Sequence, residues 1–207
     1  APADALVGGL ARIDGRPVVV GAEDFSVQGG SIGFATHAKR LRYARIARQE
    51  RVPLIMLLDG AGERASNALA RHPYAPNDMQ ELARLSGQVP TIAVVTGSSA
   101  GHGAITALLS DLVIMLEKAT IFAAGPALVA AATGETVSKE ELGGARIHVG
   151  QSGVAHNAVP DETTAFALIR SYLALLPSSA WAWPPSRPGG DTGPRRLDGI
   201  LELVPRD

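Results

Sequence analysis

The 207-residue chain contains no cysteine, few aromatic residues and almost no net charge. The absence of cysteine excludes disulfides, thiolate metal sites and cysteine nucleophiles, and it favours a cytoplasmic protein. Aromatic residues make up 4% of the chain, which is too few for a base-stacking surface. The formal net charge of −1 gives no electrostatic attraction to nucleic acid or to an anionic membrane. We therefore expect neither nucleic acid nor membrane as a partner.

Long hydrophobic runs are missing as well. No apolar run reaches the roughly 18 residues that a membrane span needs, and the longest candidate, around Leu108 to Leu116, is interrupted by Asp111. The first residues, Ala1-Pro2-Ala3-Asp4, place no basic region before an apolar core, so they do not resemble a signal peptide. These features predict a globular protein with an ordinary apolar core.

Glycine, in contrast, is abundant, with 23 residues that fall mainly in clusters. Short apolar runs alternate with helical patterns, and glycine turns commonly join them. This order of strand, glycine turn and helix predicts an α/β domain with a largely parallel sheet. We predict a hairpin at 10–20 and strands at 52–58, 89–95, 111–116 and 119–123. We predict helices at 34–51 and 78–87, a helix that follows the turn at 97–103 and ends at 109, and a helix that begins at 125.

A domain boundary is predicted near residue 177. Residues 178–196 are rich in proline, serine and glycine, which is typical of a linker. An apolar pattern resumes in residues 197–207, and we interpret it as the start of a following segment. Residues 1–177 are therefore expected to form one domain.

The segment Gly97-Ser98-Ser99-Ala100-Gly101 matches G-x-S-x-G between a predicted strand and a predicted helix. In a serine hydrolase this pattern would make Ser99 the nucleophile. A triad would then need Asp161 together with His148 or His156. A turn built from small residues explains the same five residues without any chemistry, and we favour that interpretation.

The next residues, Gly101-His102-Gly103, begin like a dinucleotide-binding fingerprint, but Thr106 stands where the third glycine is needed. A different function is open to them, because the first N–H groups of a helix have no partner and can hold a developing oxyanion. A second turn, Gly60-Ala61-Gly62, follows the preceding predicted strand. Ligands of parallel sheets lie at the carboxyl ends of strands, so the two turns either line one site or are only tight turns. The spacing alone does not decide between these alternatives.

The five histidines are His37, His72, His102, His148 and His156. They show neither the H-E-x-x-H pattern nor any paired ligand spacing, so we predict no metal site in this chain. Only His102 lies inside a glycine turn.

The predicted helix from Phe34 to Arg51 is strongly basic along its length. A solvated helix face is the simplest interpretation of this charge. The functional alternative is contact with the phosphates of a CoA-type ligand or with a partner subunit.

Six segments between about residue 10 and residue 180 match one set of motifs in the same order and at similar spacing. The matches are Asp24–Gly33 with D-F-T-V-x-G-G-S-x-G, Pro53–Arg64 with P-x-x-x-x-x-D-S-G-G-A-R, Gly97–Asp111 with G-P-C-A-G-G-A-x-x-x-P-A-L-x-D, Gly125–Glu135 with G-P…T-G-E, Glu141–His156 with E-L-G-G-A-x-x-H…S-G-V-A-H, and Leu175–Ser178 with L-L-P-S. Together they resemble the N-terminal half of the carboxyltransferase (β) subunits of propionyl- and acetyl-CoA carboxylases. The second half of such subunits has no counterpart in the chain.

The resemblance implies a crotonase/ClpP-like α/β fold, a spiral of ββα units. It implies transfer of CO2 from carboxybiotin to the α-carbon of an acyl-CoA through an enolate that backbone amides stabilise. The implied oxyanion donors are the backbone N–H groups of Gly101, His102 and Gly103. The turn of Gly60, Ala61 and Gly62 would shape the same pocket.

Other parts of the reaction are implied less directly. Gly29, Gly30, Ser31 and Lys39 are weaker candidates for contact with CoA. Biotin would arrive on a separate carrier, so the implied partners are a C-terminal carboxyltransferase half and the biotin carboxylase and biotin carrier subunits. The resemblance also implies a homo- or hetero-oligomer, for which trimers of dimers are the family pattern.

Two departures from the motifs fall on the glycine turns. Glu63 stands in the loop where the family has alanine, and His102 stands where it has glycine. These changes leave two alternatives to a carboxylase open: a biotin-dependent acyl-CoA decarboxylase subunit, and a non-catalytic assembly paralogue.

Overall fold

A computed structural model describes residues 4–67 and 77–186, together with the isolated positions 189, 199 and 203. Within these ranges no helix is long and apolar enough to cross a membrane. In the predicted linker at 178–196, only residues 178–186 and 189 are described. In the predicted segment at 197–207, only positions 199 and 203 are described. The boundary near residue 177 therefore stays a prediction.

The chain opens with an antiparallel hairpin, as the sequence predicted. Strand β1 (Leu6–Ile13) pairs with strand β2 (Arg16–Glu23) over their full lengths. Asp14 and Gly15 form the two-residue turn and both have positive φ, 48° and 81°. Aspartate followed by glycine tolerates this conformation, which is why the pair identifies the turn in the sequence.

The hairpin is one edge of a seven-stranded sheet. The strand order is β1-β2-β3-β4-β5-β7, with β6 paired to the end of β4, and every pair after the hairpin is parallel. The remaining strands are β3 (Leu54–Gly60), β4 (Thr91–Ala100), β5 (Leu112–Leu116), β6 (Thr120–Phe122) and β7 (Asn157–Val159).

Helices cover both faces of this sheet. They are α1 (Phe34–Glu50), α2 (Asp78–Ala83), α3 (His102–Leu108), α4 (Pro126–Thr133), α5 (Lys139–Gly143), α6 (Ala145–Gly150) and α7 (Glu162–Leu175). Side chains of β3 alternate between two apolar clusters, with Leu54 and Met56 facing α1, α2 and α3, and Ile55 facing α7. This alternation is the period of two that a doubly covered strand requires.

Strand β4 differs from the prediction at its carboxyl end. The sequence indicated a turn from Gly97 onward, but the strand continues to Ala100. The extension has a partner on each side, because Ser99 pairs with Gly60 of β3 and with Ile121 of β6. The turn is therefore reduced to one residue, Gly101, with φ 51° and ψ −108°.

Helix α2 is shorter than predicted. It begins after Asn77, whose side chain accepts the Gln80 N–H, and it ends at Ala83 rather than Gly87. Gly87 has a φ of 70° and lies in the turn that leads into β4. The start of the helix agrees with the predicted residue 78, whereas the glycine predicted to end the helix lies in the following turn.

Candidate active site

Two of the predicted glycine turns lie directly against each other. The Ala61 N–H donates to the Gly29 carbonyl at 2.9 Å, and the Ile32 N–H donates to the Gly62 carbonyl at 2.8 Å. The segment around Gly29, Gly30 and Ser31 contains a short 3-10 turn at Gln28–Gly30, and its backbone packs against the end of β3. Backbone, rather than side chains, forms this surface.

The backbones approach so closely that two positions require glycine. Gly30 has a φ of 66°, and a Cβ there would lie 2.3 Å from the Asp59 carbonyl oxygen. Gly62 has a φ of 83°, and a Cβ there would lie 2.7 Å from the Ala100 carbonyl oxygen. The second contact brings the turn at 60–62 against the end of β4 and the start of α3. All three glycine turns predicted from the sequence are thus contiguous in space.

The third turn has unequal amide groups. The Gly101 N–H donates to the Phe122 carbonyl at 3.0 Å, so β6 already uses it. The Ile105 N–H donates to the Gly101 carbonyl at 3.0 Å and is the first bond of the α3 ladder. The N–H groups of His102 and Gly103 precede that ladder and are the donors this turn can offer. A small anionic oxygen is the group that such paired donors accommodate.

A buried ion pair lies beneath these turns. Glu23, at the end of β2, has a side chain only 1% exposed and is paired with Arg40 of α1, 4% exposed. Glu23 also accepts the Asp59 N–H at 2.8 Å, and Arg40 donates to Thr106 of α3 at 3.0 Å. Burial raises the pKa of Glu23, against the opposing effects of the Arg40 charge and the Asp59 N–H. The pair ties the hairpin to α1, β3 and α3.

A second polar cluster surrounds the side chain of His102. Its Nε2 lies 2.7 Å from Asp78 Oδ2, and the other Asp78 oxygen lies 2.8 Å from Nδ1 of His37. The far nitrogen of His37 is 2.9 Å from the Glu63 carboxylate. Asp78 and His102 are buried, and the two imidazole rings meet edge to face with centroids 5.0 Å apart.

The cluster shifts the protonation of its members. The hydrogen bond to Asp78, and next to it the one to Glu63, raises the pKa of His37 against the effect of its burial. Burial acts to raise the pKa of Asp78, but the hydrogen bonds from His102 and His37 outweigh it and leave that pKa well below its ordinary value. His37 thus has a carboxylate at each ring nitrogen, an arrangement that favours the protonated ring.

Lys39 is separate from the glycine turns. Its ammonium donates to the Leu6 carbonyl at 2.9 Å, on the side of α1 that faces the hairpin. Lys39 and Arg42 line an open groove of about 550 Å³ between α1 and β1. The structure thus brings together nine of the ten predicted site residues and leaves this one apart.

The hydrolase interpretation of Ser99 has no structural support. The Ser99 hydroxyl is fully buried and lacks a hydrogen-bond partner among the described residues. His148 instead contacts Ser152 and the Ile121 carbonyl, and the His156 ring accepts the Val113 N–H. No base is therefore within reach of the hydroxyl, which rules out a triad centred on it.

Sequence reasoning missed most of the polar groups under the turns. Glu23, Arg40 and Asp78 belong to separate elements, and nothing in their spacing indicates that they meet. The prediction of no metal site relied on the absence of paired spacing, whereas His37 and His102 come together only in the folded chain. That prediction stays untested.

Comparisons with known proteins agree on one family. The family model described as "Carboxyl transferase domain" matches residues 1–207. The chain is 35% identical to the methylmalonyl-CoA decarboxylase subunit alpha of Veillonella parvula, over 99% of this chain and 40% of that protein. It is 32% identical to the propionyl-CoA carboxylase beta chain of Saccharopolyspora erythraea, over 91% of this chain and 35% of that protein.

Solved structures extend the likeness to three dimensions. Transcarboxylase 12S, determined with methylmalonyl-CoA and methylmalonic acid bound, superimposes with a TM-score of 0.82 at 32% identity, over 98% of this chain and 40% of that one. The β subunit of Pseudomonas aeruginosa geranyl-CoA carboxylase gives 0.73 at 30% identity, over 84% and 34%. The predicted crotonase-like α/β fold is confirmed. The chain spans about 40% of the length of the curated relatives it matches.

Proposed function

This chain belongs to the carboxyl transferase domain family, and we propose from that membership that it is the acyl-CoA-binding part of a biotin-dependent carboxyltransferase. The proposed reaction moves CO2 from biotin to the α-carbon of an acyl-CoA thioester. Because the chain spans about 40% of its relatives, the complete reaction requires the remaining part of such a protein.

The pair of amide groups at the start of α3 carries this proposal. Removing the α-proton of a thioester places negative charge on its carbonyl oxygen, and in this proposal the N–H groups of His102 and Gly103 hold that oxygen. Donors fixed by the fold need no reorganisation as the charge develops, and one such donor is worth about 3–4 kcal/mol of transition-state stabilisation. The third predicted donor, Gly101, is engaged with Phe122, so we assign the role to the other two.

The glycine turns place three stretches of backbone beside these amides. A Cβ on Gly60 would lie 2.5 Å from the Gly30 carbonyl oxygen, and one on Gly62 would lie 2.7 Å from the Ala100 carbonyl oxygen, so only glycine lets the turns pack this closely. We propose that the thioester lies along the backbone surface that these turns form. The adjoining turn of Gly29, Gly30 and Ser31 extends the same surface. We propose that it contacts the CoA chain near the thioester, and that Lys39, farther away beside the groove along β1, contacts a phosphate.

The ion pair below the site supports the same assignment. An unpaired carboxylate at Glu23 would repel a developing enolate, because a Cβ on Gly103 would lie only 3.9 Å from one of its oxygens. Arg40 cancels that charge while remaining buried. The buried charge of Glu23 is thereby compensated next to the proposed amide donors.

Exposed apolar surface indicates where a partner binds. Helix α4 is apolar in sequence, yet none of its residues is buried, and Leu128 is 63% exposed. Leu108 at the end of α3 is 57% exposed. A helix that is apolar in sequence but has no buried residue is typical of a surface that another protein covers. We propose that the second carboxyltransferase half covers it and completes an oligomeric enzyme.

Biotin, delivered on its own carrier, supplies the CO2 when it is bound. The described residues fit the thioester rather than the biotin ring, because the free amides here are matched to one anionic oxygen. The role of this chain is therefore to bind the acyl-CoA, orient its α-carbon and hold the enolate oxygen.

The opposite direction of reaction is a second candidate. One relative with 35% identity is a decarboxylase subunit, and loss of CO2 from a malonyl-type thioester passes through the same enolate. Enolate-stabilising amides serve both directions by microscopic reversibility. The assay that separates them compares carboxylation of propionyl-CoA with decarboxylation of methylmalonyl-CoA in the assembled enzyme.

Calorimetric titration with acetyl-, propionyl- and a longer acyl-CoA tests the proposal, first with this chain and then with the second half added. We expect selective binding of one acyl-CoA. Gly103→Pro removes one amide donor and should weaken that binding about fivefold, the value of one ordinary hydrogen bond. Thr163→Pro, at the equivalent position of the remote helix α7, is the matched control and should bind normally.

Two results would contradict the proposal. One is the absence of acyl-CoA binding with the second half present. The other is unchanged affinity in a Gly103→Pro variant whose circular dichroism spectrum shows that it is folded.

A further inference from the structure

Three metal-ligating side chains from distant parts of the chain converge below the amide turn. His37, Asp78 and His102 each offer one ligand atom, and these atoms lie within 4.8 Å of one another. The two imidazole nitrogens face different oxygens of the same carboxylate, at 2.8 Å and 2.7 Å. Two imidazoles with one carboxylate form a recurrent donor set of zinc and non-haem iron sites.

Glu63 completes an outer layer around this set. It lies at the opposite side of both rings from Asp78, 2.9 Å from Nε2 of His37 and 3.6 Å from Nδ1 of His102. Metal-bound imidazoles regularly donate the other ring N–H to a carboxylate, which fixes the ring and its tautomer. One glutamate here faces the far nitrogen of both histidines. Asp78 therefore lies on one side of the two imidazole rings and Glu63 lies on the other.

We propose that His37, Asp78 and His102 bind a divalent first-row transition ion of the Zn²⁺ type, and that Glu63 orients the two imidazole rings. Two imidazole ligands out of three disfavour Mg²⁺ and Ca²⁺, which prefer oxygen. Metal–ligand bonds of about 2.0–2.1 Å place the ligand atoms of a tetrahedral site about 3.3 Å apart. The nitrogen–oxygen contacts of 2.7–2.8 Å would therefore widen, and the longer separations, which reach no more than 4.8 Å, would contract. The ion would take the place of the hydrogen bonds that both rings now make with Asp78.

Charge and access fit such an ion. The carboxylates of Asp78 and Glu63 together balance two positive charges, and the nearest buried cation, Arg40, is already neutralised by Glu23. The Glu63 side chain is 46% exposed, whereas those of Asp78 and His102 are 6% and 5% exposed. Ions would therefore enter from the Glu63 side, while the inner ligands remain shielded from water.

The expected role is structural. The ligands come from α1, the first turn of α2 and the first turn of α3, so one ion would join three helices. His102 is also the first residue of α3 and one of the two proposed amide donors, and its side chain extends into the cluster, where it contacts Asp78. The ion would thereby hold the turn from below, where the related motif has only glycine.

Zinc titration of the purified, EDTA-treated chain tests this site directly by calorimetry. We expect one ion per chain and an increase in Tm on adding ZnCl2. His102→Gly, which restores the glycine of the related motif, should abolish both effects. Glu63→Gln should weaken the affinity about 10–100-fold. His148→Gln removes a histidine outside the cluster and should bind like the unmodified chain.

A second variant and a spectrum guard against misfolding. Asp78→Asn keeps the shape of the side chain, and it should lose the Co²⁺ absorption bands that the unmodified chain shows when loaded with that ion. Equal zinc affinity in the unmodified chain and in folded His102→Gly, or no binding by the folded unmodified chain, would overturn the proposal and identify the cluster as a hydrogen-bonded network alone. Acyl-CoA binding is measured separately, so either result leaves the proposed function standing.

Discussion

Replacing Arg40 with methionine removes one member of the buried ion pair and should destabilise the fold in a pH-dependent way. Glu23 would remain 1% exposed without its counter-charge. Leaving one partner of a buried pair alone costs about 3–5 kcal/mol. Protonation of Glu23 is the alternative to an unpaired charge, and keeping a carboxyl neutral at pH 7 costs about 4 kcal/mol relative to an ordinary glutamate. Both routes give about 4 kcal/mol at pH 7.

The pH dependence of the destabilisation distinguishes Arg40→Met from Glu23→Gln. In the Arg40→Met variant the pKa of Glu23 in the folded state lies above its unfolded value, so stability is lost as pH rises and regained as pH falls. At pH 5 the cost of the neutral carboxyl is about 1 kcal/mol, so most of the destabilisation should disappear. Glu23→Gln leaves the guanidinium unpaired instead, and arginine cannot deprotonate in this range. Its destabilisation should therefore be nearly the same at pH 5 and pH 7.

Urea unfolding followed by circular dichroism at both pH values measures these free energies. The double variant Glu23→Gln/Arg40→Met retains an acceptor for the Asp59 N–H and leaves no buried charge, so it should be more stable than either single variant at pH 7. Additive effects of the two substitutions, or a pH-independent loss in Arg40→Met, would refute the argument that a buried, coupled charge pair supports this region.

Two further substitutions test the turns and the start of the chain. Gly30→Ala should lower the free energy of unfolding by clearly more than Gly134→Ala. Both positions have positive φ, 66° and 76°, which costs alanine about 1–2 kcal/mol, but only at Gly30 would the Cβ meet backbone atoms. Equal losses of unfolding free energy would show that the backbone moves apart to admit the Cβ at Gly30. Burial acts to raise the pKa of Asp4, but hydrogen bonds from Arg64, the adjacent N–H and Thr36 outweigh it and lower that pKa to about 2. The stability that Asp4 contributes should therefore be complete above pH 4 and lost as pH falls through about 2. Denaturant midpoints of Asp4→Asn and the unmodified chain should therefore differ at pH 6 and converge near pH 2, and a constant difference would exclude this role.

Local signals in the sequence predicted the elements whose ends are set by their own residues. The hairpin turn at Asp14-Gly15 lies inside the predicted hairpin at 10–20, and α2 begins at the predicted residue 78. The strand predicted at 52–58 forms β3 at Leu54–Gly60, two residues later. The end of β4 was misplaced for the opposite reason. Gly97 is typical of a turn, but hydrogen bonds from β3 and β6 hold the following residues in the sheet, and a single sequence does not show which strands will be neighbours.

The candidate site divides in the same way. Glycine clusters in the sequence indicate turns with exposed backbone groups, so the positions of the glycines and their place after predicted strands located the three turns. The side chains that balance charge and join elements at the site are far apart in the sequence. Arg40 contacts Glu23, 17 residues away, and Thr106, 66 residues away. Their pairing is a property of the tertiary fold, and no spacing rule along the chain encodes it.

The single-residue turn at Gly101 has a consequence for motion. Because strand β4 is hydrogen-bonded on both sides and passes into α3 without an intervening loop, the amide donors have no flexible segment of their own. Displacing them would require breaking part of the central sheet, an event close in free energy to global unfolding. In the proposed reaction these amide groups would therefore keep a fixed position. Any movement that admits substrate or releases product would then fall to other parts of the assembled enzyme that the proposal requires.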